Sequence, residues 1–90
     1  MNLDSIVFVD SYPKLDLHGE TKDTARVLIN DFIRDSKKLK HEIIVIIHGI
    51  GSGTLKNTTR EVLSRNKNVL DYKTFYYNNG CTVVQIKIDT

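Results

Sequence analysis

Two histidines, each followed at once by a glycine, are the first residues whose placement could do chemistry: His18 in "LDLHG" and His48 in "IIVIIHGIGSGTLK". Imidazole titrates near physiological pH, so a pair of them can take up and return a proton during phosphodiester cleavage. Asp16 stands two residues before His18. A carboxylate there can orient a histidine, hold a metal beside it or activate water. Taken singly, a histidine on a strand is an ordinary satisfied residue. Two of them reaching one place would be a site. His41 has no such context and reads as a surface residue at a helix end.

The loop after His48 carries Gly49, Gly51 and Gly53, then Thr54 and Lys56. It is not a Walker loop, because no Gly-Lys pair closes it, and it is not a dinucleotide fingerprint, because Thr54 stands where a third glycine is needed. Its physics remains. Glycines let a backbone turn sharply and approach a ligand, and the helix that follows offers free amides and a dipole favouring an anion. Ser52 or Thr54 can cap that helix, with Lys56 and Arg60 one turn apart on it. A phosphate fits this loop, and so does a plain capped turn between strand and helix.

The elements that must position these residues are legible from periodicity. Leu15, Asp16, Leu17 and His18 alternate as a short half-buried strand ended by Gly19. Thr21 is a plausible N-cap, and Ala25, Leu28, Ile29, Phe32 and Ile33 form one face of an amphipathic helix. Lys37, Lys38 and Lys40 close that helix as a solvated end suited to its dipole. Ile43 to Ile47 is apolar on both faces and predicts a central strand. Leu55, Thr59, Val62 and Leu63 repeat the helical spacing. Val69–Tyr77 and Cys81–Ile88 read as strands, with Asn79-Gly80 as a hairpin signal. Ile6 to Val9 suggests an edge strand or an extended arm ahead of Pro13.

The order β-α-β-α-β-β predicts a two-layer α+β sandwich with a four-stranded mixed sheet and both helices on one face. Strands joined through a helix run parallel by a right-handed crossover, so their C-terminal ends lie side by side. Those ends carry His18 and His48. Asp16 should share a face with His18, while Leu15 and Leu17 point into the helices.

Ninety residues make one small domain, 40% hydrophobic and 27% charged, with a formal charge of +2. That composition excludes a disordered chain, and the mild charge does not by itself argue nucleic-acid binding. A single cysteine, Cys81, excludes an internal disulfide and a cysteine-rich zinc site, and its place in "CTVVQIKI" marks a buried structural thiol. No signal peptide and no membrane span is visible, so a cytoplasmic setting is expected.

"LDLHG" followed one helix later by "IIHGIGSGTL" resembles the Smr (small MutS-related) domain, whose signatures are an L-D-L-[HR]-G stretch and an H-G-x-G-[TS]-G loop. The resemblance runs from about Lys14 to Lys87 and includes the apolar last strand "CTVVQIK". It divides the chain into an N-terminal extension, 1–13, and an Smr-like domain, 14–90, read as a stand-alone member. It implies a fold similar to the C-terminal domain of translation initiation factor three, with the last strand inside the sheet and antiparallel to the others.

The resemblance also implies nucleic-acid binding and endonuclease activity, as nicking of DNA or cleavage of RNA. Asp16, His18 and His48 carry over as catalytic residues, and Gly49, Gly51 and Gly53 as the loop. Ser52, Thr54, Lys56 and Arg60 join that loop as candidate phosphate contacts. Ile50 stands where the family often has a basic residue, and "YYNNGCTVV" replaces a more glycine-rich turn. The cofactor that fits is a magnesium or manganese ion, with no organic cofactor. Two rivals to a DNA or RNA endonuclease follow from the small net charge: a binding module that grips nucleic acid or a ribosome without cutting, and a binder of small phosphate compounds.

Overall fold

The computed structural model describes residues 3–6 and 9–89. The elements are β1 (Lys14–Asp16), α1 (Lys22–Lys38), β2 (Ile43–Ile47), α2 (Thr54–Arg65), β3 (Val69–Thr74) and β4 (Cys81–Ile86). The sheet order is β1-β2-β4-β3. β1 and β2 are parallel, and β4 lies between β2 and β3, antiparallel to both. This is the α+β sandwich with a mixed sheet that the sequence predicts.

Local chemistry explains the helix ends. Thr21 caps α1, its hydroxyl accepting the Thr24 amide. At the other end the His41 amide donates to the Ser36 carbonyl and the Lys40 amide to Lys37. That pair of bonds is a Schellman closure, and it places Lys40 at φ 60, where glycine is the usual occupant. α2 starts differently from expectation. Its N-cap is Gly53 at φ 85, which has no side chain to cap with, while the Ser52 hydroxyl one residue outside accepts the Thr54 amide at 3.4 Å. The left-handed backbone needed there favours glycine over a hydroxyl residue.

One face of the sheet packs on both helices. Leu17, Ile44, Ile46, Val84 and Ile86 bury against Ala25, Ile29, Ile33, Val62 and Leu63, with Leu15 at the margin. The other face is covered by the N-terminal segment. Leu3 and Ile6, each 5% exposed, cluster with Ile43, Val45, Val83, Phe75 and Cys81. Burying an aliphatic side chain of this size contributes about 1.5–3 kcal/mol, so these two residues matter to the core. The described part of this segment forms short 3-10 turns at Leu3–Ser5 and Val9–Ser11 and not a strand; Val7 and Phe8 lie outside the described residues.

β3 and β4 are both shorter than the periodicity suggests. β3 stops at Thr74 because the chain turns at Phe75, whose carbonyl accepts the Asn78 amide. Asn79-Gly80 is not a two-residue turn. Gly80 lacks a positive φ, and the connection runs through residues 75–80, with the Asn78 side chain accepting the Gly80 amide at 2.9 Å. Gly80 has a different duty, which the site explains.

Candidate functional site

β1 and β2 end at the same level, with Asp16 beside Ile47 and the Leu17 amide donating to the Ile47 carbonyl at 2.8 Å. The next residues out are His18 and His48. Together with Asp16, Gly19, Gly49, Ile50 and Gly51 they line a depression of about 440 Å³ at the sheet edge. An adjoining hollow of about 400 Å³ shares His48 and Gly51 and adds Ser52, Gly53 and Thr54, together with Glu20, Thr21 and Lys22. Gly49, Ile50 and Gly53 meet Lys56 and Asn79 in a third, of about 270 Å³. The residues singled out from sequence are thus brought to one edge, except Arg60, which lines none of these hollows.

The two histidines are not equivalent. His48 is 6% exposed and both of its ring nitrogens are engaged. Nδ1 lies 2.9 Å from the Gly49 carbonyl, which can only accept, so Nδ1 carries a hydrogen. Nε2, 2.8 Å from the Thr82 hydroxyl, then accepts from it in the neutral ring. Burial pushes the His48 pKa below the ordinary 6.5; the Gly49 carbonyl opposes this, and the positive charges of Lys56 and Arg60 add to the lowering. His18, by contrast, stands in a turn, is exposed, and its ring has no hydrogen-bond partner among the described residues.

Asp16 serves His18 through the backbone. Its Oδ1 accepts the His18 amide at 2.9 Å, an Asx turn that bends the chain as it leaves β1. The carboxylate does not reach His48, because the two lie on opposite faces. Thr82 pairs with Ile46, on the helix side, and His48 joins it there. Asp16 pairs with Ile47, on the far side, where its charge assists burial in raising the pKa of the Cys81 thiol.

The loop is shaped by Gly49 (φ 76) and Gly53 (φ 85), where an L side chain would be strained though no atom would block it. The amides of His48 and Gly49 both donate to the Gly80 carbonyl, at 2.9 and 3.0 Å. A Cβ on Gly80 would stand 3.2 Å from Asn78 Oδ1, the atom that accepts the Gly80 amide, and in ordinary contact with the Gly49 backbone. The two amide bonds tie the β3–β4 loop to the histidine loop and commit the Gly49 amide. The amides of Gly51, Ser52 and Gly53 carry no hydrogen bond among the described residues. They precede the first turn of α2, whose own amides lack intrahelical acceptors. Lys56 and Arg60 make no ion pair among the described residues, whereas Arg26, Arg34 and Arg65 are each paired with a carboxylate.

Among the described residues no group of three or more His, Cys, Asp or Glu is placed to hold a metal. The carboxylates bordering the edge are Asp16 and Glu20. Hard cations such as magnesium commonly take one or two carboxylates and fill the remaining positions with water and phosphate. Asp16, with one oxygen committed to the His18 amide, suits that partial role.

Sequence reasoning missed Thr82, Gly80, Asn79 and Lys22. Thr82 could be found only by knowing that β4 inserts beside β2 in this register. Lys22 carried a usable signal, since a helix starting just after β1 must begin at the same edge.

The family model for the Smr domain matches residues 15–87. The chain is 35% identical over 72 residues to a protein named Endonuclease MutS2 from Aquifex aeolicus (strain VF5), covering 80% of this chain and 9% of that protein. It is 30% identical over 81 residues to Endonuclease MutS2 from Alkaliphilus metalliredigens (strain QYMF), covering 87% and 10%. The chain thus spans about a tenth of the length of these relatives. The crystal structure of the Smr domain of Thermus thermophilus MutS2 superposes with a TM-score of 0.80 at 27% identity, over 82% of this chain and 96% of that one. YdaL, a stand-alone small MutS-related protein from Escherichia coli, shares the fold with a TM-score of 0.72 at 23% identity, over 84% and 67%.

Proposed function

Because the chain belongs to the Smr domain family, we propose that it is a nucleic-acid-binding endonuclease that cleaves DNA or RNA phosphodiesters at the edge shared by His18 and the glycine loop. The observation that carries this reading is the exposed His18 ring lining one depression with Gly49 and Gly51, next to Lys56, where among the described residues the ring, the amides of Gly51 to Gly53 and the Lys56 ammonium have no partner. A phosphate seated on the amides of Gly51 to Gly53 would meet donors aimed at its charge, which are worth most in the transition state. His18 is free to take a proton from the attacking hydroxyl or water, or to give one to the leaving oxygen. Asp16 fixes the turn that presents His18, and its second oxygen could hold magnesium or manganese, which would neutralise charge on the phosphate. His48 holds the loop in shape from below. The buried reduced Cys81 suits a cytoplasmic setting.

A non-catalytic nucleic-acid or ribosome-binding module is the second reading, favoured by the fully engaged ring of His48. Incubation of supercoiled plasmid and structured RNA with wild type, His18→Ala and His48→Ala, each with and without EDTA, separates the two. Cleavage by wild type that both variants lose supports the enzyme. Equal products from all three mark a contaminating nuclease and sink it, and salt-dependent binding with no product supports the module.

A further inference from the structure

The β3–β4 loop carries the most exposed aromatic residues among those described. Tyr76 is 83% exposed and Tyr77 65%. They are held edge to face, with ring centroids 5.0 Å apart, and Tyr77 leans in the same manner on the buried Phe75 at 5.5 Å. Large apolar rings left in water on a chain this small ask for an occupant.

The loop is not an independent flap. Its Gly80 carbonyl holds the amides of His48 and Gly49, and Asn79 shares a hollow with Gly49, Gly53 and Lys56. Gly80 lies three residues on from Tyr77, a span of at most about 10 Å of chain. A stacked strand advances about 3.4 Å per nucleotide, so the Tyr77 backbone stands within about three nucleotides of Gly80, which holds the start of the glycine loop.

We infer that Tyr76 and Tyr77 form a stacking platform for unpaired bases, which makes single-stranded or locally opened nucleic acid the substrate class of this site. The inference rests on the proposed function and sharpens it. Base faces inside an intact duplex are covered by their neighbours, whereas an unpaired base exposes its face to an aromatic ring. Lys56, a cation that would track the backbone, shares a hollow with Asn79 of the same loop. The small net charge of +2 agrees, because a domain that grips partly through stacking depends less on phosphate contacts.

The test is fluorescence anisotropy at one fixed low salt concentration, using a labelled single-stranded oligonucleotide and the matching full duplex. Wild type, Tyr76→Ala, Tyr76→Ala/Tyr77→Ala, the double Phe variant and Lys56→Glu are compared, with folding checked by thermal melts. The double alanine variant is expected to lose about tenfold or more on the single strand and under about twofold on the duplex, with the Phe variant retaining affinity. Tyr76→Ala guards against loss of packing, since Tyr77 alone touches Phe75. The chain has no Trp and four Tyr. Its intrinsic emission, corrected for absorption by the nucleic acid, should therefore be quenched by the single strand in wild type and not in the double alanine variant. Equal loss on both nucleic acids, or no loss on either, overturns the stacking platform. If Lys56→Glu still weakens binding in that case, the underlying reading survives alone. Failure of wild type to bind either nucleic acid overturns both.

Discussion

The Nε2 of His48 and the Oγ1 of Thr82 lie 2.8 Å apart across the junction of β2 and β4, both side chains buried. This bond, with that from Nδ1 to Gly49, holds the ring and through it the start of the glycine loop. Thr82→Val should leave a buried ring nitrogen without its donor and lower stability by about 1–3 kcal/mol, whereas Thr82→Ser should keep most of it. Urea denaturation of the three proteins measures this directly. Equal midpoints for wild type and the valine variant would mean that the bond contributes nothing.

The same burial predicts a pH dependence. The His48 pKa is depressed on folding, so between its folded value and the unfolded value near 6.5 the unfolded chain binds more protons. The stability contribution is therefore whole above 6.5 and is lost as pH falls through the folded pKa. Denaturation midpoints for wild type and His48→Gln from pH 8 to pH 5 should diverge least at the acid end, because the variant lacks this loss. Parallel profiles would remove His48 as the cause.

His18 and His48 should separate in a second way. His18→Ala should change stability by no more than about 0.5 kcal/mol, as an exposed side chain without partners among the described residues. If it is the proton-transfer group, the cleavage rate should drop by about 10²–10⁴. His48→Ala should reduce both, since it also strands Thr82. A His18→Ala enzyme with wild-type cleavage rate would refute the assignment.

Lys40 sits at φ 60 in the closure of α1. Lys40→Gly should relieve a left-handed strain of about 1–2 kcal/mol, partly offset by the greater freedom of glycine when unfolded. A net gain of roughly 0.5–1 kcal/mol would appear as a rise of a few degrees in Tm. A lower Tm would show that the lysine side chain makes a contribution larger than the strain.

Much of this fold was readable because period and register agree. The run Ile43 to Ile47 is apolar on both faces, and the structure has a layer on each face of β2 to match. Residues 25, 28, 29, 32 and 33 could face inward only on a helix. Where the reading failed, the deciding partner was distant in sequence. Asn79-Gly80 looks local, yet Gly80 is fixed by the amides of His48 and Gly49. The convergence of His18 and His48 followed from the parallel rule alone. Their unequal burial did not, since it depends on where β4 places Thr82.

The family match begins at residue 15, but the core begins at Leu3. A fragment cut at the family boundary would retain every residue of the candidate site and expose Ile43, Val45, Val83 and Phe75 as a bare strip of sheet. Such a fragment should behave as a sticky half-shell, self-associating through the uncovered face, and its low yield or turbidity could be mistaken for a defect in the site. Leu3, Ile6, Val9 and Tyr12 act as the lid on the molecule's second layer, and the smallest unit that can be judged for activity is larger than the unit that carries the motifs.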